Sequence, residues 1–231
     1  MKDFKKLDEQ IIQFNENLHF KGKLPKDIMV MNPFIENPNT LEISRSFYRK
    51  FYHDSKPRRL ILGINPGRLG AGATGIPFTD TKRLEDACGI VFPCIKTHEP
   101  SSVFIYQMID AFGGPKKFYQ SFLISSICPL GFIALKAGKW VNYNYYDSSA
   151  LEKSIKPFAV ESIKSFINFG LKTDIVYCLG TGKNFKFLNA LNEEFALFDQ
   201  VIPLEHPRYI MQYKSSQLEG YITKYLEALS L

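Results

Sequence analysis

The chain has little from which to build a metal centre. Its 231 residues include four cysteines and four histidines, and no Cys-x-x-Cys pair occurs. Cys128 and Cys178 fall inside apolar, strand-like runs, and with Cys88 and Cys94 they read as reduced thiols rather than zinc or iron–sulfur ligands. No metal and no cofactor is expected. Also lacking is any apolar run near the roughly 20 residues that a bilayer core requires, so no membrane partner is expected. The start, Met1-Lys2-Asp3-Phe4-Lys5-Lys6, is charged and lacks the apolar core of a signal peptide, which predicts an intracellular, cytoplasmic protein. Internal repeats, low-complexity tracts and linker-like composition breaks are missing too. One domain over residues 1–231 is expected, a helical N-terminal part (1–55) leading into an α/β core (56–231), and the protein is expected to be a monomer.

Acidic residues are in deficit. Against 29 Lys and Arg stand 23 Asp and Glu, a net charge of +6 with pI near 9.0. That balance favours a polyanionic partner by counterion release and says nothing about chemistry. Forty-five per cent apolar residues exclude a disordered chain.

Periodicity supplies the elements. Phe4, Leu7, Ile11, Phe14 and Leu18 predict a helix over 3–18, and a second helix is expected over 40–52. Residues 58–64 (Arg-Arg-Leu-Ile-Leu-Gly-Ile) are apolar without alternation, the mark of a parallel strand buried on both faces. Similar strands are predicted at 121–127, 174–179 and 200–204. Between them helices are expected over 101–112, over 149–169 with a break or fresh start at Pro157, and from Gly182 to Leu191. A last helix starts at a Ser216 cap, with Leu218, Tyr221, Ile222, Tyr225, Leu226 and Leu229 as its apolar stripe. Strands alternating with helices predict a three-layer α/β/α fold around a mainly parallel four-stranded sheet.

Two glycine-rich segments suggest nucleotide binding. Residues 70–75 (Gly-Ala-Gly-Ala-Thr-Gly) satisfy G-x-G-x-x-G, and they define the alternative of a nucleotide- or dinucleotide-binding α/β enzyme. In such a site the glycines follow the strand at once and open a helix. Here Asn65-Pro66-Gly67 intervenes and Pro77 stands where that helix would run. Gly180-Thr181-Gly182-Lys183-Asn184 lacks the first glycine and the Ser/Thr of a P-loop. It reads better as a tight strand-to-helix turn whose N–H groups can meet a phosphate.

The chemistry sits elsewhere. Gly63-Ile64-Asn65-Pro66-Gly67 ends the first buried strand, Thr74-Gly75-Ile76-Pro77-Phe78 closes the following loop, and Glu205-His206-Pro207-Arg208 ends the last strand. All three should meet in the crevice at the carboxyl ends of the strands. Together they resemble the uracil-DNA glycosylase superfamily, in particular its single-strand-selective monofunctional (SMUG) branch. The thirteen-residue offset from Asn65 to Phe78 matches that branch, as does Ile127-Cys128-Pro129-Leu130.

The resemblance implies a monofunctional DNA glycosylase of base-excision repair acting on uracil and related deaminated or oxidised bases, with DNA, single- or double-stranded, as partner. Asn65 and His206 become the catalytic candidates, one placing water and the other donating to the departing base. Ile64, Gly67, Phe78 and Ser126 become the base-binding candidates. Gly67 leaves room beside C5, where the strictly uracil-specific branch has a bulky ring. Ser126 departs from the branch, which has Asn there; Asn142 or Asn144 is a candidate substitute reader of the base edge. Arg208, Tyr209, Ile210, Met211 and Lys214 are expected to form a loop with an apolar wedge and flanking cations for DNA. A catalytically silent DNA-binding module is the third alternative.

Overall fold

A computed structural model describes residues 5–91 and 96–231; Met1–Phe4 and Cys94 lie outside the described residues. The chain starts with helix α1 (Leu7–Glu16), which buries Leu7 and Ile11 and packs on the later α3. Then come strand β1 (Ile28–Met31), the one-turn α2 (Pro33–Glu36) and α3 (Pro38–Tyr52). The Asn/Pro-rich stretch is a pair of helix starts. Asn32 and Asn37 each accept a backbone N–H two residues on, with proline in the first helical position.

Strand β2 (Arg59–Gly63) precedes α4 (Ala71–Thr74), α5 (Thr81–Asp86), α6 (Pro100–Phe112) and α7 (Pro115–Ser121). Strands β3 (Phe122–Ser126), β4 (Gly131–Lys136) and β5 (Lys139–Tyr143) follow, then α8 (Ser149–Asn168). The chain finishes with β6 (Ile175–Leu179), α9 (Lys183–Phe195), β7 (Gln200–Leu204), α10 (Pro207–Tyr213) and α11 (Leu218–Leu229).

The expected sheet is present. Its order is β3-β2-β6-β7 with every pair parallel, and helices flank it. Leu60, Ile61 and Leu62 of β2 and Val176 to Leu179 of β6 are all buried, which is why these runs show no polar alternation. Pro203 sits on edge strand β7, where no further strand needs its missing N–H. From β2 the chain adds β3 on one side and β6 on the other, so the crevice opens at the carboxyl end of β2.

Three expectations need correction. Residues 1–55 are not only helical, because β1 pairs antiparallel with β4, which pairs with β5 in a second, three-stranded sheet. Helix α8 runs unbroken through Pro157; the ring removes one N–H donor but leaves the helix continuous. The last helix starts after Gln217 rather than at a Ser216 cap.

Arg58, at the foot of β2, is wholly buried. It holds Asp54 through two nitrogens (2.8 and 3.0 Å) and donates to the carbonyl of Tyr119 at 2.6 Å, so its charge is paired rather than stranded.

Candidate active site

The end of β2 explains its own sequence. A Cβ at Gly63 would stand 2.8 Å from the Phe78 ring, so only glycine lets that ring lie on the strand. Phe78 itself has φ +52°, a left-handed backbone uncommon for a bulky side chain. The loop that holds it there is knotted by the buried Thr74, whose hydroxyl donates to the Thr79 carbonyl at 2.6 Å and accepts from Ile76 N–H at 3.2 Å. Gly72 N–H donates to the Gly67 carbonyl at 2.8 Å, folding the glycine-rich segment back as a turn and the short α4. No dinucleotide-type helix opens from it.

Asn65 is fixed at both ends of its amide. Its Nδ2 donates to the Tyr143 carbonyl (3.2 Å) and its Oδ1 accepts from Tyr145 N–H (3.1 Å). The backbone at the end of β5 and just beyond it therefore sets which end of the carboxamide is oxygen. One lone pair of Oδ1 stays free for a water.

His206 follows β7 and caps α10, its Nδ1 accepting Arg208 N–H at 3.1 Å. A nitrogen that accepts carries no proton, so the neutral ring bears its hydrogen on Nε2. Burial, with Arg208 adding, pushes the imidazolium down to about 4. At neutral pH the ring is an uncharged Nε2–H donor. It lies against Phe78, centroids 5.6 Å apart.

Both residues line one cleft of about 540 Å³, and Ile64, Gly67, Phe78 and Ser126 line it as well. Ser126, the last residue of β3, stands beside Gly63 in register, and no hydrogen bond occupies its hydroxyl among the described residues. Asn142 and Asn144 reach the same cleft, Asn142 accepting from Arg68 Nε at 3.0 Å. A Cβ on Gly67 would meet Glu99 Oε1 at 3.5 Å and Asn142 Nδ2 at 3.7 Å, ordinary contacts that leave the space beside Gly67 open.

Glu99 is one of the cleft residues that sequence reasoning missed. It precedes α6, and nothing in a Glu-Pro dipeptide marks it as part of a site. Its carboxyl packs on Gly70, where a side chain would collide with it, and accepts from Ser102 Oγ at 3.2 Å. Burial pushes the carboxyl up to about 7, with Asp80 adding while the Ser102 bond and Arg208 oppose.

The expected DNA loop is instead helix α10. Arg208 and Tyr209 line the cleft, joined by Gln212 and Tyr213, the neighbours one turn on; the two tyrosine rings lie 5.5 Å apart. Ile210 is fully buried and Met211 packs on the core, so neither is free to wedge into a base stack. Lys214 ends the helix and does not line the cleft. The helical turn aims alternate sides of the segment at core and solvent.

The uracil DNA glycosylase superfamily model matches residues 50–230, the four-stranded parallel sheet and the cleft included. The chain belongs to that superfamily. Among solved structures, the crystal structure of wild-type SMUG2 from Pedobacter heparinus is 52% identical, covers 97% of each chain and superposes with a TM-score of 0.95. A search of curated proteins finds no match. These likenesses place the chain in the SMUG-like branch of the superfamily, as a DNA N-glycosylase with uracil DNA glycosylase function. Uracil DNA glycosylases cut a bond that is reached only once the nucleotide leaves the helix, and a deep cleft at the mouth of the sheet suits that demand. No described helix is long and apolar enough to cross a membrane.

Proposed function

We propose that this cleft takes an extruded uracil, or a related deaminated or oxidised base, and that Asn65 and His206 carry its hydrolytic release. The observation that carries the assignment is their fixation in one cleft: an amide oxygen held by Tyr145 N–H, and a neutral imidazole held by Arg208 N–H.

The roles follow from charge development. As the C1′–N bond breaks, its electron pair goes to the base and the sugar becomes an oxocarbenium ion. Water then bonds to C1′ and its proton passes to solvent or to the departing base. A carboxamide is too weak a base to generate hydroxide. Its oxygen can hold the water in line, which suffices once the sugar cation has formed. His206 Nε2–H donates to the base carbonyl where negative charge collects, a stabilisation larger in the transition state than in the ground state. Phe78 supplies a stacking face for the base.

Gly67 leaves space beside the base, walled by Glu99 and Asn142. Small 5-substituted uracils such as 5-hydroxymethyluracil are accommodated in this reading. Ser126, with one hydroxyl in place of an amide, reads the base edge together with Asn142 or Asn144. Arg208, Tyr209 and Tyr213 on α10 face the DNA at the cleft mouth, and the Gly180-Thr181-Gly182 turn borders an adjoining pocket suited to a phosphate. With DNA as substrate, the protein works inside the cell.

Single-turnover excision on oligonucleotides bearing uracil, 5-hydroxymethyluracil, xanthine and thymine tests the reading. Release of uracil and 5-hydroxymethyluracil with intact thymine supports it. Binding to these strands without base release would identify a silent DNA-binding module instead.

A further inference from the structure

The three-stranded sheet has one face in the core and one that leaves the molecule. Phe132 and Ala134 are buried on the inner face. Register places Met29, Ile133, Leu135, Trp140 and Asn142 together on the other face, since Met29 pairs with Ile133, Leu135 with Trp140 and Ile133 with Asn142. This outer face is continuous with the cleft. At one end Asn142 is part of the cleft wall, and Met31 lies under the glycine-rich loop against Gly72 and Gly131. At the other end the face is bare: Met29 is 50% exposed, Leu135 42% and Trp140 39%. Trp140 and Asn142 are two residues apart on one strand, about 7 Å, with side chains on the same side.

Both signs of charge border this shelf: exposed Asp27, whose carbonyl accepts Leu135 N–H at 3.0 Å, lies at its bare end, and Arg68 at its cleft end. Arg68, hydrogen-bonded to Asn142 at the junction of cleft and shelf, has no carboxylate partner among the described residues. Lys136 and Lys139, opposite each other at the hairpin tip, alternate onto the other side of the sheet, with Lys136 Nζ over the Tyr143 ring, so Arg68 is the cation this shelf itself offers.

We propose that this shelf binds the single-stranded DNA next to the extruded nucleotide, its exposed bases stacking on Trp140 and resting on Leu135 and Met29 while Arg68 meets the backbone phosphate. The proposal rests on the glycosylase reading of the cleft. A second copy of the chain fits less well. Three half-exposed apolar side chains fall short of the roughly 800 Å² per partner that a stable protein interface buries. Duplex DNA fits less well too, because its base faces are already stacked. Aromatic stacking accepts any base, so the shelf would add affinity without sequence preference.

Trp140 is the sole tryptophan, so its emission reports on the shelf alone. Titrating the full chain with undamaged oligothymidylate should quench that emission saturably, and a duplex of equal length should do so far less. In excision assays on single-stranded uracil oligonucleotides, lengthening one flank to about four nucleotides should lower the half-saturating concentration roughly 5-fold or more. Trp140→Ala should lose that flank gain and Trp140→Phe should keep most of it. Excision that proceeds with unchanged emission, or a flank gain that survives in Trp140→Ala, overturns the shelf and leaves the glycosylase reading standing. Absence of base release from every lesion overturns both. Emission that follows protein concentration rather than DNA, with a dimer in sedimentation, assigns the face to a second copy and also overturns the proposal. If Trp140→Ala does not fold, the wild-type titration decides by itself.

Discussion

Asn65 Oδ1 accepts the backbone N–H of Tyr145, eighty residues away, at 3.1 Å. This single bond ties the end of β2 to the segment that follows β5, and with the bond to the Tyr143 carbonyl it leaves the carboxamide one orientation. A side chain so held is prepared to position a water rather than to move.

Asn65→Ala should therefore remove water placement while leaving the DNA-facing surface of α10 intact. We expect single-turnover base release to fall by about 10²-fold or more. Affinity for uracil DNA, measured by fluorescence anisotropy, should change little. Asn65→Asp should do as badly and also cost stability, because a carboxylate cannot donate to the Tyr143 carbonyl. Near-normal excision by either variant would remove Asn65 from the mechanism.

His206 gives a prediction in pH. Its folded value lies near 4, below the ordinary 6.5, so the ring stays neutral across the range in which a free histidine titrates. Base release should show no histidine inflection between pH 8 and pH 5 and should decline only as pH nears 4. For stability the sign is the same as for any depressed base. The unfolded ring takes up a proton below 6.5 that the folded ring refuses, so the contribution of His206 is full above 6.5 and is lost as pH falls toward 4. A ring resonance titrating near 6.5 in NMR would contradict this. His206→Ala should lower single-turnover release by about 10²–10³-fold, the usual effect of removing one donor to a developing anion.

Glu99 titrates in the opposite sense. Its carboxyl is raised from 4.5 to about 7, so the folded protein holds a proton there that the unfolded chain has released. Stability from this group is full below 4.5 and is lost as pH rises through 7. Glu99→Gln keeps an acceptor for Ser102 Oγ and removes the charge. It should be more stable than the wild type by about 1–2 kcal/mol at pH 8 and no different at pH 4. Denaturant melts at the two pH values check this; equal gains at both would mean that packing, not ionisation, changed.

How much of this could be read from sequence follows from what each residue has to satisfy. The parallel strands were legible because Leu60, Ile61 and Leu62 must be apolar on both faces, and nothing else in the chain imposes that run. The second sheet was not. β1 spans four residues, and the hairpin turn at Ala137-Gly138 has φ of +48° and +73° without the Asn-Gly pair that usually announces such a turn. Asn65 and His206 were legible as parts of the superfamily's motif pattern rather than from their own chemistry. His206 had a local signal as well: followed by Pro207, it stands as an N-cap with proline in the first helical position, which marks a helix where a wedge loop was expected. Within that helix Ile210 and Met211 turn to the core instead of standing free. Glu99 had no signal, since its carboxyl gains its setting only from Gly70 and Gly67, which the fold brings to it.

Gly63 offers a test that separates stacking from the rest of the site. It ends β2 beside Ser126, and a methyl group there would come within 2.8 Å of the Phe78 ring. Phe78 cannot retreat by a small rotation alone, because its backbone is already left-handed and the loop around it is held by Thr74. Gly63→Ala should thus displace the ring from the position in which it faces His206 while Asn65 keeps both of its backbone bonds. Base stacking on an aromatic face contributes about 1–3 kcal/mol, so half-saturation by a uracil strand should worsen by roughly 5-fold or more. The pH profile set by His206 should keep its shape. A crystal structure of the variant with Phe78 unmoved and excision unchanged would show that the ring fills space and takes no part in holding the base.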